Sequence, residues 1–225
     1  MPVYMIGVNH LDWNGPNKLA RVLEDKQPDR ILLEGSQSKD NAQETYRRIQ
    51  REVLAERQVC PELAVFLMNE QELKGYEGRV ARVYCRGRSL PEPAYLNDSF
   101  ESLTENQIRY MVTRAISHAS AMPLGELGKG WEGFQISVRL LYREFQSVID
   151  TPSEQEIVSL LPRHEYWIDR KDAVMERGLR KAVEENTGSV IATITGFTHL
   201  ISNPKRNSFY CRVRDLSPKR VILFD

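Results

Sequence analysis

Two histidines lie in the same short pattern near opposite ends of the chain. Segments 7–10 and 196–199 both read Gly-x-x-His, and they end in His10 and His199, two of the four histidines in the sequence. An imidazole nitrogen can ligate a transition metal, and it can also take or give a proton near neutral pH. The repeated pattern therefore indicates either a metal site or acid–base chemistry.

Each copy of the pattern directly follows a short apolar run, at residues 3–6 and 190–194. Short runs of apolar and β-branched residues that stop at a glycine predict buried strands. Each histidine would then stand just past the carboxyl end of a strand. In open α/β sheets, ligands and catalytic groups collect at that edge.

A glutamate is predicted at the same edge. Residues 17–25 carry apolar residues at helical spacing, and residues 30–33 read Arg-Ile-Leu-Leu, which predicts a strand. Strand, helix and strand in succession form a βαβ unit, in which the two strands run parallel with a right-handed crossover. Glu34, directly after the second strand, should therefore project near the loop that carries His10.

The middle of the chain is mainly helical by pattern. Helices are expected over 39–57, 62–86, 104–150 with a break, and 165–186. Val65 and Val83 are expected among the buried positions of the second of these. Residues 94–96 predict a short strand that ends at Asn97 and Asp98, so Asp98 is a further carboxylate at a strand end. Residues 220–224 would complete the sheet.

These elements predict one α/β domain over residues 1–225. Its central sheet is expected to be mixed but mostly parallel and flanked by helices, with a helical segment of about 104–186 inserted between strands of the sheet. Lys plus Arg equals Asp plus Glu at 31 each, so the chain has no overall field to attract nucleic acid or an anionic membrane. The expected partner is a small-molecule or peptide substrate.

The cysteines and the apolar runs favour a cytoplasmic location. The three cysteines lie far apart and have no C-x-x-C spacing, so they are expected to be reduced and mostly buried. The first strand begins by residue 3, which leaves no room for a secretory leader, and no apolar run approaches the length of a membrane span.

The polar residues at the predicted strand ends form a ligand set. They are His10, Glu34, Asp98 and His199. Two imidazoles with one or two carboxylates suit zinc, manganese, cobalt or iron and leave coordination positions open for water. A divalent ion held there could acidify water and polarise a carbonyl group.

The same residues resemble a known family. The paired Gly-x-x-His motifs, the strand-end glutamate of segment 28–34, and segment 169–175, which reads Asp-Arg-Lys-Asp-Ala-Val-Met, are similar to the TIKI/TraB superfamily. That superfamily also includes the erythromycin esterases and the ChaN-type haem-binding lipoproteins. The resemblance implies a mixed sheet between helices with a site at one sheet edge. In several members it also implies metal-dependent hydrolysis, of peptides in the TIKI proteins.

Carried over by position, His10 and His199 match the two histidines of the family, and Glu34 matches its glutamate. The basic position of the family falls on Arg170 or Lys171, and the choice between them is open. Only a guanidinium can clamp a carboxylate or an oxyanion with two parallel hydrogen bonds, so the choice affects the chemistry. Asp98 resembles an acidic strand-end residue of some members.

The sequence thus predicts a metal-dependent hydrolase of peptide, ester or amide bonds. His10, Glu34, His199 and Asp98 would hold the metal, or Glu34 would act as general base, while Arg170 or Lys171 would stabilise the anionic intermediate. One alternative is a metal-free hydrolase in which a carboxylate-activated histidine deprotonates water, as the resemblance to erythromycin esterases implies. Another is a protein without enzymatic activity that binds haem, iron or a small ligand.

Ordinary structural roles are open for the same residues. The two histidines could satisfy main-chain groups in loops, and Glu34 could cap the helix after it. Asp98 could belong to a turn, and Arg170 and Lys171 could lie on a solvated helix face.

Overall fold

The apolar runs of the sequence form the strands of one sheet. The computed structural model describes residues 2–35, 37–57, 59–73, 75–96, 104–120, 136, 140, 143, 149, 165–202 and 207–223. Its strands are β1 (Val3–Val8), β2 (Arg30–Leu33), β3 (Ala94–Tyr95), β4 (Ile191–Gly196) and β5 (Lys219–Ile222). All the pairings among these described strands are parallel. The predicted α/β class is confirmed, with a described sheet that is parallel throughout.

Helices fill the intervals between the strands. They are α1 (Gly15–Lys26), α2 (Gln37–Arg57), α3 (Pro61–Leu73), α4 (Tyr76–Gly87), α5 (Glu105–Ser120), α6 (Glu165–Glu185) and α7 (Phe209–Arg212), with short 3₁₀ helices at Phe197–Leu200 and Arg214–Leu216. As predicted, α5 and α6 lie between β3 and β4 in the chain. None of the helices in the described ranges is long and apolar enough to cross a bilayer.

Each face of the sheet is covered by its own helices. On one face, Leu19 and Leu23 of α1 and Tyr76 of α4 pack with Ile6 and Ile194. On the other face, α6 and α7 pack against the alternate residues of the same strands. The buried residues there include Met5, Leu32, Met175, Leu179 and Phe209. A strand covered on both faces consists of apolar and β-branched residues without alternation, which explains the apolar runs of β1 and β4.

A separate apolar cluster joins α2, α3 and α5, away from the sheet. It contains Ile49, Val53, Leu54, Leu63, Leu67, Ile108, Val112 and Ile116. The prediction that Val65 and Val83 are buried is wrong, because their exposed fractions are 57% and 73%. Each lies on the outer side of a helix whose neighbouring apolar residues face inward. Among the three free cysteines, Cys85 is buried and Cys60 is exposed.

The order of the strands determines which loops meet. The sheet runs β3-β2-β4-β1-β5, so β4 lies between β1 and β2. In the register, Val8 at the end of β1 pairs with Gly196, and Leu33 at the end of β2 pairs with Ile194. The carboxyl ends of β2, β4 and β1 are therefore immediate neighbours, and the residues just beyond them share one edge.

Candidate functional site

Three of the predicted site residues come together at this edge. Nε2 of His10 lies 3.9 Å from Oε2 of Glu34, and Nε2 of His199 lies 3.5 Å from Oε1 of the same carboxylate. His10 comes from the loop after β1, Glu34 from the end of β2, and His199 from the 3₁₀ helix after β4. Glu34 thus lies between the two imidazoles.

The backbone fixes the position of Glu34. Its own N–H donates to the carbonyl of Ile194 at 2.9 Å, which continues the β2–β4 pairing by one residue. The next residue, Gly35, has φ 118°, a left-handed conformation that favours glycine and lets the chain turn away at once. Gly196 N–H donates to Oε2 of Glu34 at 2.5 Å. The carboxylate is therefore held by the neighbouring strand as well as by its own.

Lys171 supplies a positive charge to this carboxylate. Its ammonium group forms an ion pair with Oε1 of Glu34, and the lysine side chain is 28% exposed. Arg170 lies one residue earlier in α6, and its side chain is outside the described residues, as is the whole of Asp98. Of the two basic residues that the sequence leaves open, Lys171 is thus placed beside Glu34.

His199 is buried in a chain of charged groups. Its Nδ1 shares a hydrogen bond with Oδ1 of Asp172, a residue of α6 with 0% exposure. The second oxygen of Asp172, Oδ2, is buried and has no hydrogen-bond partner within the described part of the chain. Asp172, His199, Glu34 and Lys171 therefore form a continuous series of alternating acidic and basic groups.

The pKa values of Glu34 and His199 reflect this series. Burial by itself would raise the pKa of Glu34, but the positive charge and hydrogen bond of His199, with Lys171 and His10 contributing less, hold that pKa well below its usual range. Burial would lower the pKa of His199, yet Glu34 and Asp172 outweigh it and raise the pKa to about 9. At neutral pH, Glu34 is therefore a carboxylate and His199 an imidazolium.

His10 has a different environment from His199, although its local pairing is similar. Its Nδ1 lies 2.6 Å from Oε1 of Glu77, a glutamate in the first turn of α4 with a side chain that is 10% exposed. The His10 side chain itself is 47% exposed. Because a carboxylate only accepts hydrogen bonds, Nδ1 carries a proton, and in the neutral imidazole Nε2 is the acceptor.

Gly196 leaves a small space between these groups. A methyl group added at this residue would lie 3.2 Å from Nε2 of His10, 3.4 Å from Oε2 of Glu34 and 3.7 Å from Cδ2 of His199. Both histidine rings and the glutamate therefore border the space that the absent side chain leaves. A side chain at this residue would crowd all three groups, and glycine avoids that contact.

The acidic side chains around the two histidines outnumber the lysine, which favours binding of a cation. Glu34, Glu77 and Asp172 carry three negative charges against one positive charge on Lys171, which leaves a net charge of −2 while both histidines are neutral. Two imidazolium protons would balance this charge, and so would a divalent ion. In metal sites the ligating histidine usually donates its other N–H to a carboxylate, as both Nδ1 atoms do here.

The arrangement of the donor atoms fits a metal less well than their chemistry does. Lys171 and the Gly196 N–H already occupy the two oxygens of Glu34. Within the described ranges, no three His, Cys, Asp or Glu side chains are grouped closely enough to hold an ion. A metal bound to Glu34 would lie close to the Lys171 ammonium, and a metal bound through Nε2 of His199 would require that its imidazolium lose a proton.

Two residues of the site could not be identified from the sequence pattern. Asp172 lies within the segment that resembles the family, but on a charged helix its spacing alone assigns it no role. Glu77 is not at a strand end, and a glutamate in the first turn of a helix is common because it favours the positive end of the helix dipole. The helical spacing of α4 gives no signal that would connect Glu77 with His10.

Comparison of the chain with models of protein families, with curated proteins and with solved structures gives no match. The resemblance to the TIKI/TraB superfamily therefore rests on the paired Gly-x-x-His motifs, the strand-end glutamate and segment 169–175, and it stays a prediction.

Proposed function

We propose that the carboxyl edge of the sheet is the active site of a hydrolase that cleaves a peptide, ester or amide bond. The pairing of His10 with Glu77 is the observation that carries this proposal. A half-exposed imidazole with its Nδ1 fixed by a buried carboxylate presents Nε2 as a proton acceptor to the space beside Gly196. This is the arrangement of a general base.

In the proposed reaction, Nε2 of His10 takes a proton from a water molecule as the water oxygen forms a bond to the carbonyl carbon of the substrate. The carbonyl oxygen then carries the negative charge. Lys171 and the imidazolium of His199 provide positive charge beside it. When the tetrahedral intermediate collapses, the bond to the leaving oxygen or nitrogen breaks, and that atom takes the proton from His10.

Glu34 has a supporting role in this proposal. Its low pKa makes it a weak base, and each of its oxygens already has a donor. A carboxylate held in this way keeps His199 protonated and keeps Lys171 at the site. The assignment of general base therefore goes to His10, and Glu34 positions the two cations.

The test is hydrolysis of a panel of p-nitrophenyl esters and fluorogenic peptides by the purified chain. His10→Ala should lower kcat/KM by about 10²- to 10⁴-fold, the usual contribution of a general base. His118→Ala is the matched control, because His118 lies on α5, a helix whose described buried residues pack with α2 and α3. If no member of the panel is cleaved, or if His10→Ala is as active as the control, the proposal fails.

A metal-dependent version of the same hydrolysis is the second candidate. The Nδ1 atoms of His10 and His199 are both hydrogen-bonded to carboxylates, as is usual for histidines that ligate a metal. His10, Glu34 and His199 would hold the ion, which would supply Lewis acidity and a bound water of lowered pKa. Manganese, cobalt, zinc and iron all suit this donor set. Activity that survives chelator treatment, together with metal-free protein by elemental analysis, would leave only the metal-independent version.

The proposal includes a cytoplasmic location and a small-molecule or peptide substrate. The three cysteines are free, which fits a reducing compartment. Half-exposure of His10 fits a substrate that approaches from solvent.

A further inference from the structure

The first turn of α4 holds the loop that carries His10 through two consecutive side chains. The hydroxyl of Tyr76 donates to the carbonyl of Asn9 at 3.3 Å, and Glu77 accepts a hydrogen bond from Nδ1 of His10. Gly75 precedes them with φ 74°, a left-handed conformation that favours glycine. One helix end therefore contacts both the backbone and the imidazole of this loop.

Tyr76 also fits closely against the start of α1. It is 1% exposed, and a methyl group at Gly15 would lie 2.4 Å from its hydroxyl oxygen. Glycine at position 15 thus lets α4 approach the loop closely. Because α1 and α4 pack together on one face of the sheet, the distance between Glu77 and the loop is fixed by the core.

The loop has internal bonds that limit its movement. Asp12 accepts from the N–H of Asn14 at 2.9 Å and forms an ion pair with Lys18 at 3.0 Å, and both charged side chains are less than a tenth exposed. The N–H of Leu11 donates to the side chain of Asn9 at 3.0 Å. His10 therefore projects from a loop that several hydrogen bonds hold, and the orientation of its ring is set by rotation of its own side chain and by the contacts of the ring.

Glu77 has an ordinary alternative role, since an acidic residue in a first helical turn interacts favourably with the helix dipole. That role needs neither burial nor a particular partner. Glu77 is 8% exposed and contacts an imidazole 67 residues away in sequence at hydrogen-bond distance. This hydrogen bond restricts the rotation of the His10 side chain, which the bonds within the loop do not restrict.

We infer that Glu77 is the positioning residue of His10, an inference that rests on the proposed function. Its carboxylate keeps the proton of the neutral imidazole on Nδ1 and turns Nε2 toward the space beside Gly196. Helix α4 then contributes a positioning residue to the site, although Glu77 lies in a helix and not at the end of a strand.

Nitrogen-15 NMR of the histidines tests the inference directly. The chain has four histidines, so a sample labelled only at histidine gives a simple spectrum, and His10→Ala assigns the signal of His10. In the wild type, the neutral ring should be protonated at Nδ1. Glu77→Ala should lose this preference, and Glu77→Gln should keep much of it because the amide oxygen can still accept. Glu92→Ala, at an exposed glutamate, is the control.

Hydrolysis of p-nitrophenyl acetate gives the second readout. Glu77→Ala should lower kcat by about 10²-fold or more with little change in KM, since an orienting carboxylate acts on the base and not on substrate binding. Circular dichroism shows whether the variant is folded. Glu77→Gln, which keeps the shape of the side chain, repeats the comparison if the alanine variant unfolds.

The outcomes separate this inference from the proposed function. If His10→Ala abolishes hydrolysis and Glu77→Ala does not, Glu77 is no positioning residue and the hydrolase proposal stands. If wild type and His10→Ala are equally inactive, the hydrolase proposal fails, and the NMR measurement still decides whether Glu77 orients His10. An unchanged ring tautomer in Glu77→Ala overturns the inference.

Discussion

The main-chain N–H of Gly196 and the carboxylate of Glu34 are joined by a hydrogen bond of 2.5 Å between nitrogen and Oε2. This bond connects the ends of two neighbouring strands, β4 and β2, and its acceptor oxygen lies 3.9 Å from Nε2 of His10. Because its donor is a backbone group, a substitution at residue 196 keeps the bond and changes only the space beside it. The two contributions of Gly196 can therefore be separated.

If the proposed reaction takes place, Gly196→Ala should lower activity and leave the fold intact. Gly196 has φ −54° and ψ 136°, which alanine adopts readily, but its methyl group would crowd Nε2 of His10 at 3.2 Å. We expect kcat/KM to fall by about 10²-fold, the typical effect of a misplaced reacting group. Steady-state kinetics and thermal unfolding measure the two effects.

Gly87→Ala is the matched control for this substitution. Gly87 ends α4, and a methyl group there meets nothing within 4 Å. Alanine in a helix should leave activity unchanged and stabilise the fold by at most about 1 kcal/mol. Equal activity of both variants would show that the space beside Gly196 is not used.

Asp172→Asn should destabilise the protein and lower the pKa of His199. Asp172 is fully buried and hydrogen-bonded to His199. Loss of one partner from a buried charged pair lowers the free energy of unfolding by about 3–5 kcal/mol. Asp215→Asn breaks an ion pair in which the carboxylate is 60% exposed, so its effect on stability should be much smaller. Urea unfolding compares the two, and an NMR titration monitors His199.

The stability of the fold should depend on pH through His199. Because its folded pKa of about 9 exceeds the ordinary value of 6.5, its contribution is fully present below pH 6.5 and is lost as the pH rises through 9. Urea unfolding with EDTA present, from about pH 6 to 10, should show a fall of up to about 1.4 kcal/mol per pH unit. In His199→Gln the stability should change much less with pH over this range. If the stability of the wild type and of the variant depends on pH in the same way, the raised pKa of His199 is contradicted.

Glu34 should make the fold less stable as the pH falls into the acidic range. Its pKa is lowered in the folded state, so its contribution is present above the ordinary value of 4.5 and is lost as the pH falls toward the folded value. Glu34→Gln should therefore be less sensitive to acid than the wild type. Unfolding monitored by tryptophan fluorescence over the acidic range below about pH 6 measures this.

Lys171→Met should reduce kcat far more than Arg170→Met. The ammonium of Lys171 contacts Glu34, and its removal would take away one of the two cations that the proposed reaction places beside the oxyanion. A loss of about 10²- to 10³-fold is typical when one such group is removed. The reverse order of the two variants would identify Arg170 as the functional basic residue.

Much of the sheet could be predicted because its signals are local. The apolar runs before Gly7 and Gly196 and after Asp29 became β1, β4 and β2, and parallel strands bring the residues at their carboxyl ends to one edge. The prediction that His10, Glu34 and His199 lie close together needed no more than this. The position of β4 between β1 and β2 depends on pairing between distant segments, for which the sequence pattern has no local signal.

The partners of the histidines were less predictable than the histidines. Glu77 lies on a helix face whose spacing only indicates amphipathicity, and its contact with His10 results from the packing of α4 on α1. Val83, on the same helix, shows the same limit, since it was expected in the core and is 73% exposed. Helical spacing defines a face only to within a residue or so, and tertiary packing decides the rest.

The position of β1 in the sheet also bears on how the chain folds. Both described neighbours of β1, β4 and β5, come from the last part of the sequence, and Val3 pairs with Ile191. During synthesis this apolar strand leaves the ribosome long before either neighbour exists. Contacts of such high sequence separation form slowly, and an unpaired apolar strand is prone to aggregate meanwhile. The pairing of β1 with β4 is therefore expected to be a late step in the folding of the chain.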